Sequence, residues 1–150
     1  MKKKLAIITL ALGLFSLNAQ AYAGGVGYIN YPKVQDNFPF AQAAIKEVDA
    51  KGLELQQYMV DKEKQYKALD TPLKKQNFED TTAREFASKQ EALVKLRTQK
   101  EEQVFKKIQA AAKQVLVEQK LDAIVDFRVI FVGGVDITDL VIQKLKTSAY

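Results

Sequence analysis

The chain has no cysteine, no histidine and no tryptophan. Without cysteine there is no disulfide, no thiol nucleophile and no thiolate-held metal. Without histidine the commonest general base and the commonest metal ligand are both missing. An enzyme made from this sequence would have to work with carboxylates, Lys, Ser, Thr or Tyr alone. Apolar runs are short as well, and none reaches the roughly 20 residues that a membrane-spanning helix needs. Prolines number only 3. What is present is a globular balance, 47% hydrophobic and 27% charged, which disfavours disordered, collagenous and membrane-embedded classes. The length of 150 residues suits one domain.

The first residues read as a leader. Lys2, Lys3 and Lys4 precede a mostly apolar, uncharged run from Leu5 to Leu17, and small residues follow at Ala19, Ala21 and Ala23. That is the layout of a secretory signal peptide, so residues 1–23 are expected to be removed, by cleavage after Ala23 or after Ala21. An uncleaved anchor is disfavoured by the shortness of the run. Loss of the three lysines takes the net charge from +5 to +2. In a Gram-negative cell the destination is the periplasm, a compartment without ATP, so energy-coupled activity is disfavoured too.

Composition divides the remainder into three. Residues 24–39 are rich in Gly, aromatic and β-branched residues, with Val26 to Tyr31 as a strand and Pro32 and Pro39 as breakers. Residues 40–120 are rich in Lys, Gln, Glu, Ala and Leu, a long-helix composition. From Leu121 the β-formers return in two runs, LDAIVDF and VIFV. The pair Gly133 and Gly134 closes the second, and a helix runs from Asp136 to Leu145 with Asp136, Thr138 and Asp139 as cap candidates. The expected fold class is α+β: residues 24–39 and 121–150 form a small β body, and a long helical hairpin is inserted between them.

Within the helical region, steps of four and three from Ala41 reach Ile45, Val48, Gly52, Leu55, Met59, Lys62, Tyr66, Leu69 and Leu73. Such a spacing marks a coiled-coil seam, with Lys62 as its exception. A weaker stripe follows at Phe86, Leu93, Val104, Ile108, Ala111 and Val115, interrupted by Gln90, Arg97 and Lys100. The flanking β segments require the chain to return to its start, so two antiparallel helices are expected. Asn77 to Thr82 is turn-like, and Thr82 to Glu85 fits a capping box. These features place the tip near residues 78–82 and make Pro72 a kink. A body this small has little core of its own and leaves strand edges open, which argues for assembly through the β body.

The order of three short segments carries a resemblance. Val26 to Asn30 (VGYIN), Lys120 to Phe127 (KLDAIVDF) and Asp136 to Leu145 (DITDLVIQKL) surround the long helical insertion. In this the chain resembles the OmpH-like (Skp) family of periplasmic chaperones. The resemblance implies a homotrimer in which three strands per chain build a shared β-barrel, with the α-helical hairpins projecting as arms around a cavity. It also implies ATP-independent holding of unfolded outer-membrane β-barrel proteins before their membrane insertion. On that basis Ile29, Ile124, Val125, Ile130 and Val132 are candidates for the trimer core. Charge along the arm is nearly balanced, so client capture is expected to depend weakly on salt.

Apolar residues lying off the seam, namely Leu53, Tyr58, Val60, Phe78, Val94 and Phe105, are the candidate client contacts. Packing against the partner helix is the competing account of the same side chains. Lys62, Lys64, Lys67, Lys74 and Lys75 suit an anionic membrane surface or lipopolysaccharide. A solvated helix face explains them more simply, because Asp61, Glu63 and Asp70 sit among them. No cofactor, metal or catalytic residue is expected, since adjacent carboxylates such as Glu101 and Glu102 point in different directions on a helix. Nucleic-acid binding is disfavoured by the signal peptide, the near-neutral mature charge and the scarcity of Arg. The alternative from another class is a structural coiled-coil adaptor of the cell envelope.

Overall fold

The computed structural model describes residues 24–147; the expected signal peptide lies outside the described residues. β1 (Gly25–Ile29) is followed by α1 (Tyr31–Asp36), α2 (Pro39–Lys67) and α3 (Pro72–Glu118). Then come β2 (Leu121–Asp126), one 3-10 turn at Phe127–Val129, β3 (Val135–Asp136) and α4 (Thr138–Thr147). The three strands form one parallel sheet in the order β2-β1-β3. β1 is central, pairing Val26 with Ala123 and Ile29 with Asp126 on one side, and Gly27 with Val135 on the other. Among the described residues, both outer edges of the sheet are open.

Each of the three prolines opens a helix instead of breaking one. Pro32 sits in the first turn of α1, where Asn30 caps by accepting from the Lys33 amide at 3.0 Å. Pro39 and Pro72 begin α2 and α3. A first-turn proline lacks an N–H that would have no partner there, and its fixed φ suits the helix. α1 stands where Pro32 suggests a break, because the Asn30 cap makes the proline a first-turn residue.

The same logic corrects the position of the tip. Asn77 to Thr82 lies inside α3, and the chain turns at residues 68–71. Thr71 caps α3 by accepting from the Lys74 amide, and Pro72 follows at the first helical position. Thr82 opens no capping box; its Oγ1 is buried in mid-helix without a hydrogen-bond partner. The two helices are therefore unequal, 29 residues against 47. At 1.5 Å per residue α3 is roughly 70 Å long, and its last turns run past the start of α2 into the body.

Those last turns supply the core. Val104, Ile108, Ala111 and Val115 from α3 pack with Ala41 and Ala44 from α2, and with Val34, Phe38, Ile29 and Leu121. Ile137, Val141, Ile142 and Leu145 close it from the C-terminal end. Ala41, Ala44 and Ala111 let the helices approach closely where this core begins. The body thus recruits helix from the arm, and one chain has a larger core than the β segments alone would provide.

A second correction concerns the run from Val129 to Val132, expected as a strand. It forms none. Asp126 caps the 3-10 turn by accepting from the Arg128 amide, and its carboxylate also meets the Arg128 guanidinium at 2.7 Å. Phe131 is fully exposed and Val132 is 86% exposed. β-branched and aromatic residues favour a strand, but no strand among the described residues offers them a ladder. The third strand begins beyond Gly133 and Gly134, whose φ of +83° and +84° turn the chain as few other residues could. Of the assembly candidates, Ile29 is buried in the core, Ile124 packs against that core, and Val125 and Ile130 are half-buried.

Candidate functional site

Across the arm, α2 and α3 pair through two ion pairs in a single register. Glu47 of α2 meets Lys100 of α3, and Lys62 of α2 meets Glu85 of α3 at 2.8 Å. Fifteen residues outward along α2 match fifteen residues outward along α3, and the sense of the charges reverses. Near the tip the Tyr66 and Phe78 rings face each other at 6.3 Å. Among the described residues between Val48 and Val104, no side chain is fully buried. The seam itself departs from a strict 3.5 repeat. Ile45 and Met59 are turned outward at 45% and 41% exposure, and Ala44 and Tyr58 take inward positions instead.

The outward turn of those residues creates an apolar face. Ile45 and Asp49 of α2 line a shallow cleft with Arg97 and Glu101 of α3. Nearer the tip, Met59, Val60 and Glu63 line another cleft with Glu79, Ala83 and Phe86. Helical steps of seven, eight and eleven residues return to the same side, which places Leu53 between Ile45 and Val60, and Val94 between Ala83 and Phe105. At the base Phe105 joins Tyr31, Ala112, Leu116, Ile124 and Val125 in an open groove of about 550 Å³. Leu53, Val60, Val94 and Phe105 are all exposed, so four of the six expected contacts share one face of the hairpin.

The other two are half-buried. Tyr58, expected off the seam, is half-buried at the opposite edge; its hydroxyl donates to Glu85 at 2.5 Å and the Lys89 ammonium lies 5.1 Å from its ring centroid. Phe78 is on the seam and forms part of the floor of the distal cleft. Sequence reasoning missed Ile45, Phe86 and Tyr31 as members of the face. For Ile45 the seam assignment hid it, and for Tyr31 the missing α1 did.

The opposite edge is charged. Lys62 is hydrogen-bonded to Glu85, which holds the Glu85 carboxyl below its ordinary value, and the Tyr58 hydroxyl adds to the effect. In return the Lys62 ammonium is raised, chiefly by Glu85. The Lys62 ammonium also lies over the Tyr58 and Phe78 rings, at 5.1 and 5.3 Å. The remaining tip lysines are similarly engaged: Lys67 with Glu63, Lys74 with Asp70, Lys64 with Asp61 at 3.9 Å, and Lys75 over Tyr66. A solvated, ion-paired helix face accounts for them. Among the described residues there is no acidic cluster that could hold a metal ion, and no helix is long and apolar enough to cross a membrane.

A family model for outer membrane protein (OmpH-like) matches residues 25–145, which takes in the whole sheet, both arm helices and most of α4. The chain belongs to the OmpH-like family. Among solved structures, this OmpH-like chain is similar to a Caulobacter crescentus protein described as an OmpH-like outer-membrane chaperone. Identity is 16% and the TM-score 0.48, over 85% of this chain and 89% of that one. No curated protein matches it.

Proposed function

We propose that this OmpH-like chain is a non-enzymatic, ATP-independent holdase of the periplasm, exported by a cleaved signal at residues 1–23. Its clients on this reading are unfolded outer-membrane β-barrel proteins. The observation that carries the reading is the alignment of Ile45, Leu53, Val60, Val94 and Phe105 on one face of an arm whose other edge is charged. A face of scattered apolar side chains over shallow clefts suits many weak contacts with a chain of varying sequence, which is how promiscuous binders work.

Assembly belongs to the same reading. The parallel sheet has two open edges, and the exposed run from Val129 to Val132 is a strand-forming sequence without a partner. A homotrimer joining these elements into a shared barrel would gather three arms around one cavity, with their apolar faces directed inward. The test is aggregation of a urea-diluted outer-membrane protein, followed by light scattering with and without the mature chain. Suppression at a fixed ratio of client to trimer supports the holdase; unaltered aggregation leaves the envelope adaptor as the better account.

A further inference from the structure

The two ion pairs of the arm do different work. Glu47–Lys100 lies beside the buried alanines and valines at the base. Lys62–Glu85 lies where no side chain is fully buried, so little apolar packing supports it. Between the two, Leu55, Leu93 and Leu96 line a solvent-open cleft of about 300 Å³ with Lys51, Glu54 and Lys89 at its rim, and none of the three leucines is fully buried. With no fully buried side chain between Val48 and Val104, this stretch has less apolar packing to hold it than the base has.

Around Lys62 the contacts are polar and directional. Its ammonium bonds Glu85 Oε2 and covers two rings, while Glu85 also accepts the Tyr58 hydroxyl. Facing this group are Tyr58 from α2, and Phe78 and Lys89 from α3. Yet Lys62 occupies a seam position where an aliphatic residue would pack more simply. A charged group there closes the pair in one arrangement and, once parted, is readily solvated on both sides.

We infer that Lys62, Glu85 and Tyr58 form a latch, and that the outer arm is a zipper that unfastens there to offer its seam to a bound apolar chain. Opening adds Leu55, Leu93 and Leu96, half-buried in the closed arm, to the face that already carries Leu53, Val60 and Val94. The base stays shut, because Val104, Ile108 and Ala111 are buried in the core. This rests on the proposed holdase function for the nature of the occupant, an extended apolar client segment, but the latch itself does not.

The absence of cysteine makes the test direct. Spin labels on Gln56→Cys and Ser88→Cys, both exposed and on facing helices, report the α2–α3 separation in the full mature chain, diluted with unlabelled chains. A short distance is expected for the closed arm. Glu85→Lys should raise the long-distance fraction roughly fivefold, the ratio set by the upper range of an exposed ion pair. The charge-exchanged pair Lys62→Glu with Glu85→Lys should restore the short distance. An unchanged distribution in Glu85→Lys, or no rescue by the exchanged pair, overturns the latch. An added unfolded outer-membrane protein should lengthen the distance in the parent chain. If that client is held, by light scattering, without any lengthening, the coupling of the latch to occupancy is overturned. If the client is not held at all, the holdase reading fails, while the variant distances still decide the latch.

Discussion

The backbone amide of Asn30 donates to Thr138 Oγ1 at 3.0 Å, joining positions 108 residues apart. The same hydroxyl donates to Asp136 Oδ1, and that oxygen also accepts the Thr138 amide. One side chain therefore ties the end of β1, the end of β3 and the start of α4. Thr138 is the one polar residue among the buried side chains of the described chain. Thr138→Val keeps the shape but leaves the Asn30 amide without its acceptor and removes one of the two hydrogen bonds to Asp136 Oδ1. A loss of about 1–3 kcal/mol is expected, measured as the shift of a urea unfolding midpoint. Thr138→Ser should retain most of the stability.

The same group gives an acid dependence. Hydrogen bonds from the Thr138 hydroxyl and then its amide hold the Asp136 carboxyl below its ordinary value of 3.8. A depressed carboxylate stabilises the fold at pH above its unfolded value, and that contribution disappears as pH falls through the folded value. The urea midpoint should therefore fall on acidification below about pH 4, and less steeply in Asp136→Asn than in the parent. Equal slopes in the two proteins would remove Asp136 from the account.

Folding and assembly are separable at Phe131. Its side chain is fully exposed in the single chain, so Phe131→Asp should leave the helical circular dichroism signal and the core intact. In a trimer built through this segment, a buried unpaired charge costs several kcal/mol. Sedimentation equilibrium should give about three times the mature mass for the parent and a smaller species for the variant. A parent monomer at micromolar concentration would refute the shared barrel.

If the holding face is distributed, single changes should be mild. Leu53→Ser, Val94→Ser or Phe105→Ala should each weaken client holding by at most ~1 kcal/mol, since an exposed contact rarely contributes more. The triple variant should lose most of it, because the contacts are spread over both helices. Complete loss from one substitution would indicate a discrete pocket. Salt should weaken holding modestly, with charges screened over about 10 Å at 0.1 M.

Lys120 ends α3 with φ of +52°, a left-handed conformation that side chains with a Cβ disfavour. Lys120→Gly should raise stability by about 0.5–1 kcal/mol, read from thermal unfolding.

The long helical hairpin between β segments was legible because periodicity and composition persist over tens of residues. The stripe from Val104 to Val115 was found correctly, since each member faces the core. The tip was not, because polarity at Asn77 to Thr82 is compatible with an exposed helix turn as well as a loop. The decisive signal was Thr71 before Pro72, a side-chain cap followed by a residue suited to the first helical position. Ile45 and Met59 were misplaced by an idealised repeat that real helices relax wherever packing is loose. The run from Val129 to Val132 shows a different limit: its strand propensity is plain in sequence, but a strand needs a neighbour, and the described residues do not supply one.

The pairing of Gly25 with Leu121 also orders the folding of the chain. A central strand made first finds its two neighbours only after nearly all the residues have been laid down, so no part of the sheet can form locally. Closing so long a loop from a flexible chain is slow, and it dominates the contact order of the sheet. The arm changes that search. Once α2 and α3 fold back on each other by local contacts, the loop becomes a stiff staple whose feet already stand together, and the strands attached to them start as neighbours. A chain halted before Leu121 would thus carry a hairpin and no sheet, making the arm the scaffold on which the body is built.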